Sequence, residues 1–89
     1  MKARRAIVRG RVQGVGYRFF AERAARECGV RGWVRNLPDG SVEAVAEGDG
    51  DSIARFLARL REGPYGSRVE SLAEYDLAVT GFASFEITR

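Results

Sequence analysis

Apolar and other residues alternate with a period of two from Ala6 to Val12. Ala6, Val8, Gly10 and Val12 fall on one face, and Ile7, Arg9 and Arg11 on the other. That is the signature of a half-buried strand. Gln13-Gly14-Val15-Gly16 breaks the pattern, and a helix is expected from about Tyr17 to Glu27. It carries Phe20, Ala24 and Cys28 at i, i+4 and i+8, and Gly29 stops it. Val30 to Leu37 reads as a second strand, with Val30, Gly32, Val34 and Asn36 sharing a face. Pro38-Asp39-Gly40 supplies hairpin turn chemistry. Ser41 to Gly48 is the third strand, with Val42, Ala44 and Ala46 against Glu43, Val45 and Glu47. Asp51 or Ser52 can cap a second helix, in which Ile53, Phe56, Leu57 and Leu60 follow helical spacing until Gly63-Pro64. Arg68 to about Leu77 is a fourth strand whose alternation slips near Ser71, as at a bulge. Phe85-Glu86-Ile87 is a short terminal strand.

The order strand, helix, strand, strand, helix, strand predicts an α+β, ferredoxin-like split βαβ sandwich in one domain over residues 1–89. Both helices would cover one face of a single sheet. The other face, holding Arg9, Arg11, Trp33, Arg35, Glu43 and Glu47, would meet solvent. If the third strand lies between the first two, those two run the same way. The glycine loop after the first strand and Asn36 at the end of the second then share one end of the sheet. Two strand spacings separate them, roughly 10 Å. An arginine on an inward-curling loop can close that gap.

Composition narrows the chemistry. The 89 residues are 45% apolar and 30% charged, the balance of a globular domain with one core. No apolar run approaches the roughly 20 residues that span a bilayer, and Met1-Lys2-Ala3-Arg4-Arg5 precedes no signal-peptide core. A cytoplasmic location is expected. The chain has no histidine, and Cys28 is its single cysteine. Ser-His-Asp and Cys-His nucleophiles are thereby excluded, as are zinc sites built on His or paired Cys. Net charge is +3, and of the 15 basic residues all but Lys2 are arginine. Arginine suits bidentate recognition of phosphate, but a mild basic excess does not identify a partner.

Two features carry candidate chemistry. Gln13-Gly14-Val15-Gly16-Tyr17-Arg18 joins a strand to a helix N-terminus. There glycines allow backbone N–H groups to turn inward as an anion-binding nest, and the helix end adds free donors. Arg18 lies in the first helical turn, where the macrodipole favours an acid. A bound anion would offset that placement. A plain tight turn is the alternative, and the loop matches neither a Walker A sequence nor a dinucleotide fingerprint. Asn36 would sit at an inward-facing strand position and must find partners, in a site or in the backbone of the following turn.

Together, Gly10-Arg-Val-Gln-Gly-Val-Gly-Tyr-Arg18 and Gly32-Trp-Val-Arg-Asn-Leu-Pro-Asp-Gly40 resemble the two signatures of the acylphosphatase family. Gly63-Pro64, Val69 and Phe85-Glu86-Ile87 fit the pattern too, so the resemblance spans nearly the whole chain. Tyr17 stands where many members carry Phe. The resemblance implies a cytosolic hydrolase that cleaves acyl phosphates to a carboxylate and inorganic phosphate. It implies that Gln13, Gly14, Val15, Gly16, Tyr17 and Arg18 bind substrate, that Arg18 and Asn36 are catalytic, and that no metal or cofactor takes part. Inorganic phosphate would be product and inhibitor. A monomer with no membrane or nucleic-acid partner is expected.

Two rivals belong to other classes. Ferredoxin-like sheets can bind RNA, and Arg9, Arg11, Trp33 and Arg35 offer basic and aromatic groups. The third strand, however, has Glu43 and Glu47 and no stacking aromatics, unlike the RNA-recognition motif. A non-catalytic phosphate-binding domain of the same family is the other rival, and intact Arg18 and Asn36 argue against it. Cys28 at a helix end reads as core packing.

Overall fold

In the computed structural model, which describes residues 1–89, the elements are β1 (Lys2–Arg11), α1 (Tyr17–Cys28), β2 (Arg31–Asn36), β3 (Val42–Gly48), α2 (Gly50–Glu62), β4 (Arg68–Leu77) and β5 (Phe85–Ile87). The strands form one sheet in the order β4-β1-β3-β2-β5. β3 pairs antiparallel with both β1 and β2, so those two run the same way and the expected ferredoxin-like arrangement holds. Ala6, Val8, Val34 and Val42 point from the sheet into a core closed by Ala21 and Ala24 of α1 and by Phe56 and Leu60 of α2. Removing each large apolar side chain from water stabilises the fold by about 1.5–3 kcal/mol. No helix is long and apolar enough to cross a membrane.

Local departures from the sequence reading have physical causes. β1 begins at Lys2, before the apolar alternation, because its charged residues are held across the sheet. Arg4 pairs with Glu74 and Asp76, and Arg5 pairs with Glu43. α2 is capped by Asp49, whose carboxylate accepts from the Ser52 N–H at 2.8 Å. Asp51 and Ser52, the expected caps, therefore lie inside the first turn of the helix. Phe20 is only half-buried, and Tyr17, Ala21 and Ala25 join the expected Ala24 and Cys28 on the inner face of α1. The bulge expected near Ser71 is present. Arg9 faces Ser71 while Gly10 faces Val69, which leaves Glu70 as the extra residue. Gly10 makes this approach possible, since a Cβ there would lie 2.1 Å from the Arg68 carbonyl oxygen.

The largest correction concerns the face expected to be open. Arg9 and Arg11 are exposed, but Glu43 and Glu47 are buried. Glu43 accepts from Arg5 at 2.5 Å and Arg35 at 2.7 Å. Burial pushes its carboxyl pKa up, yet the two guanidinium bonds outweigh this and hold it below the usual glutamate range. Glu47 lies under the segment between β4 and β5. Its carboxylate accepts from the backbone N–H groups of Thr80, Gly81 and Phe82 and from the Thr80 hydroxyl. Led by the Thr80 N–H, these bonds lower its pKa against the effect of burial. A charge-assisted latch therefore holds a strap of chain over β3.

Glu47→Gln replaces one accepting oxygen by an NH2 group that faces backbone donors. We expect the thermal midpoint at neutral pH to fall by more than about 5 °C. A lowered folded-state pKa means that the contribution is complete above the ordinary glutamate range. It is lost as pH falls through the folded-state value. The two melting curves should therefore converge in acid, and a constant gap would refute the assignment.

Candidate active site

The chain leaves β1 through two glycines in the left-handed region, Gly14 at φ 74° and Gly16 at φ 76°. A Cβ at either would meet nothing within 4 Å, so backbone conformation and not crowding calls for glycine here. Gly16 is also the N-cap of α1, and no side chain caps that helix end. The N–H groups of Val15, Tyr17, Arg18 and Phe19 donate to no protein acceptor, and the first helical bond of this turn runs from Phe20 to Gly16. The first turn contains no acidic residue. Half-buried Arg18 forms neither a salt bridge nor a hydrogen bond with the protein. A cation, a helix N-terminus and unused donors thus meet with no negative charge from the protein among them.

Asn36 ends β2 at the same end of the sheet. It is half-buried, where full burial was expected, and its side-chain amide bonds to no protein group. The turn that might have used it is satisfied without it. Asp39 accepts from the N–H and hydroxyl of Ser41, and Gly40 donates to the Leu37 carbonyl. The Gln13 side-chain nitrogen donates to the carbonyls of Leu37 and Ser41, each at 2.8 Å. One amide therefore ties the glycine loop to the hairpin that follows Asn36.

These parts line an open-mouthed cavity of about 110 Å³ bordered by Val12, Gln13, Gly14, Gly16, Tyr17, Arg18, Phe19 and Asn36. That is several times the roughly 30 Å³ one water molecule occupies in the liquid, enough to admit a group of phosphate size. Tyr17 takes part through its backbone. Its ring is buried, and its hydroxyl donates to the Leu60 carbonyl at 2.6 Å, joining α1 to α2. Burial pushes the phenol pKa well up. Val15 packs against the core and leaves its N–H to the loop.

The acylphosphatase family model matches residues 4–87. The chain belongs to the acylphosphatase family. It is 53% identical to an acylphosphatase of Methylococcus capsulatus over 100% of this chain and 98% of the relative. It is 48% identical to one of Deinococcus radiodurans over 92% of this chain and 94% of the relative. The crystal structure of acylphosphatase from Bacillus subtilis superposes with a TM-score of 0.98 at 36% identity, covering all of both chains.

Every residue singled out in the sequence, Gln13 to Arg18 and Asn36, comes to one end of the sheet, and all but Val15 line the cavity. Two features of this acylphosphatase-family chain escaped sequence reasoning. The Gln13 brace depends on carbonyls more than twenty residues away, for which the sequence holds no local signal. Phe19 lines the cavity beside Arg18 and reads in the sequence only as one more apolar helix residue.

Proposed function

We propose that the chain hydrolyses acyl phosphates in this cavity. Arg18 and the loop amides from Val15 to Arg18 grip the phosphoryl group, and Asn36 aims the attacking water. The observation that carries this reading is the convergence on one small cavity of an unpaired arginine, unused N–H donors and an unbonded asparagine amide. The water oxygen attacks phosphorus in line, and the bond from phosphorus to the acyl oxygen breaks. The carboxylate leaves with the bonding pair, while the water's proton passes to a phosphoryl oxygen. The leaving group is good, so positioning and charge stabilisation can supply most of the catalysis. Gly14 and Gly16 contribute the loop's curvature, Val15 and Tyr17 their N–H groups, and Gln13 the brace. The enzyme works in the cytoplasm as a monomer, and inorganic phosphate competes with substrate.

Release of phosphate from benzoyl phosphate tests this, and absence of turnover would overturn it. Nowhere does the fold gather three or more Cys, Asp or Glu side chains able to hold a metal ion. Turnover is therefore expected to survive exhaustive chelation. Recovery of a chelated, inactive enzyme on adding magnesium or zinc would contradict that expectation.

A further inference from the structure

The cavity is small, about 110 Å³, and open at its mouth. Its arginine, asparagine amide and unused N–H donors suit the phosphoryl end of an acyl phosphate. The acyl group then extends across the mouth. Of the side chains lining the cavity, Val12 and Tyr17 are buried, while Gln13, Arg18 and Asn36 are polar. Phe19 differs from all of these. It is 70% exposed, and of the large exposed apolar residues it alone borders this cavity.

The direction of Phe19 follows from its place in the chain. It is the third residue of α1, and helical side chains lean back towards the N-terminus, over the preceding turn. The turn preceding Phe19 is the anion loop. The ring is engaged in no aromatic pair or cation–π contact. Its neighbour Phe20 packs on Tyr17 at 5.9 Å and lies under Arg59 at 5.6 Å. Phe19 thus presents an unpartnered apolar face beside the place where the acyl group emerges.

We infer that Phe19 is the acyl-group platform of this enzyme, selecting acyl phosphates with an aromatic or extended apolar acyl chain over acetyl phosphate. This rests on the acyl phosphate reading above. An aromatic acyl group stacked on Phe19 would remove apolar surface of both partners from water, whereas a methyl group covers little of the ring. The phosphoryl grip does not involve the Phe19 side chain, so specificity and anion binding are separable. Phe19 acts on substrate choice and leaves the chemical step to Arg18 and Asn36.

The test compares benzoyl phosphate with acetyl phosphate in wild type, Phe19→Ala and Phe19→Leu. Phe19→Ala should lower kcat/KM for benzoyl phosphate by about tenfold, with acetyl phosphate changing by less than about twofold. The inhibition constant for inorganic phosphate should stay at its wild-type value, and Phe19→Leu should restore most of the preference. A merely structural role would move both substrates and the phosphate constant together. Equal losses on both substrates, or an unchanged kcat/KM for benzoyl phosphate, would overturn the inference while leaving the activity standing. Wild type inactive on both substrates would overturn the activity and the inference with it.

Discussion

Arg18→Lys is expected to lower kcat/KM for benzoyl phosphate by at least about a hundredfold and to weaken inhibition by inorganic phosphate in parallel. Lysine keeps the charge but loses the planar fork that can hold two phosphoryl oxygens at once. In this fold the guanidinium has no carboxylate partner to lose, so the fold should survive the exchange. Arg18→Ala should be worse in both measures, because the N–H groups of the loop then face the anion without a counter-charge. Wild-type inhibition by phosphate in Arg18→Ala would show that the anion is held elsewhere. Turnover and phosphate inhibition, measured on protein whose circular dichroism is native, decide the matter.

Asn36→Ala should separate two roles that Arg18 combines. The side chain comes from β2 and not from the loop that carries the donors, and an amide can both accept from and donate to a water molecule. Turnover should fall by about a hundredfold or more, while the phosphate inhibition constant changes by less than about threefold. The absence of any protein partner for the amide sharpens the test. Truncating it strands no buried turn group, since Asp39, Gly40 and Gln13 already satisfy that turn. A folded Asn36→Ala protein with near-normal turnover would withdraw the water-positioning role. A large loss of phosphate affinity would move Asn36 into the anion site itself.

Most of the architecture was legible because it is written in short-range patterns. Ala6, Val8 and Val12 alternate, Ile53, Phe56, Leu57 and Leu60 recur at helical spacing, and all of them reach the core. The slip near Ser71 correctly marked the extra residue opposite Gly10. The candidate site could be read from the sequence only through the two family-like stretches, Gly10 to Arg18 and Gly32 to Gly40, because the glycine turn alone also fits a plain tight turn.

What was not legible depended on distant partners. Glu43 and Glu47 alternate with apolar residues as solvated side chains do, and nothing beside them announces their burial. Their partners are Arg5 and Arg35 for one, and the backbone of Thr80 to Phe82 for the other. A strap without periodic pattern, reaching back more than thirty residues to cover β3, has no local signature. Gln13 lines the cavity with the rest of the loop, and its brace role needed the carbonyls of Leu37 and Ser41 to be seen beside it.

The latch on Glu47 also governs what the molecule exposes to its own copies. β5 has three residues and pairs parallel with β2, where Ser84 accepts from Gly32 and Thr88 donates to Val34. Together with the short ladder and the buried Phe85 ring, these bonds cover an edge of β2 that could otherwise add another strand. The strap that leads into β5 is pinned by one carboxylate. Protonating Glu47 would therefore loosen the strap that leads into the strand covering this edge, on the side of the sheet farthest from β4.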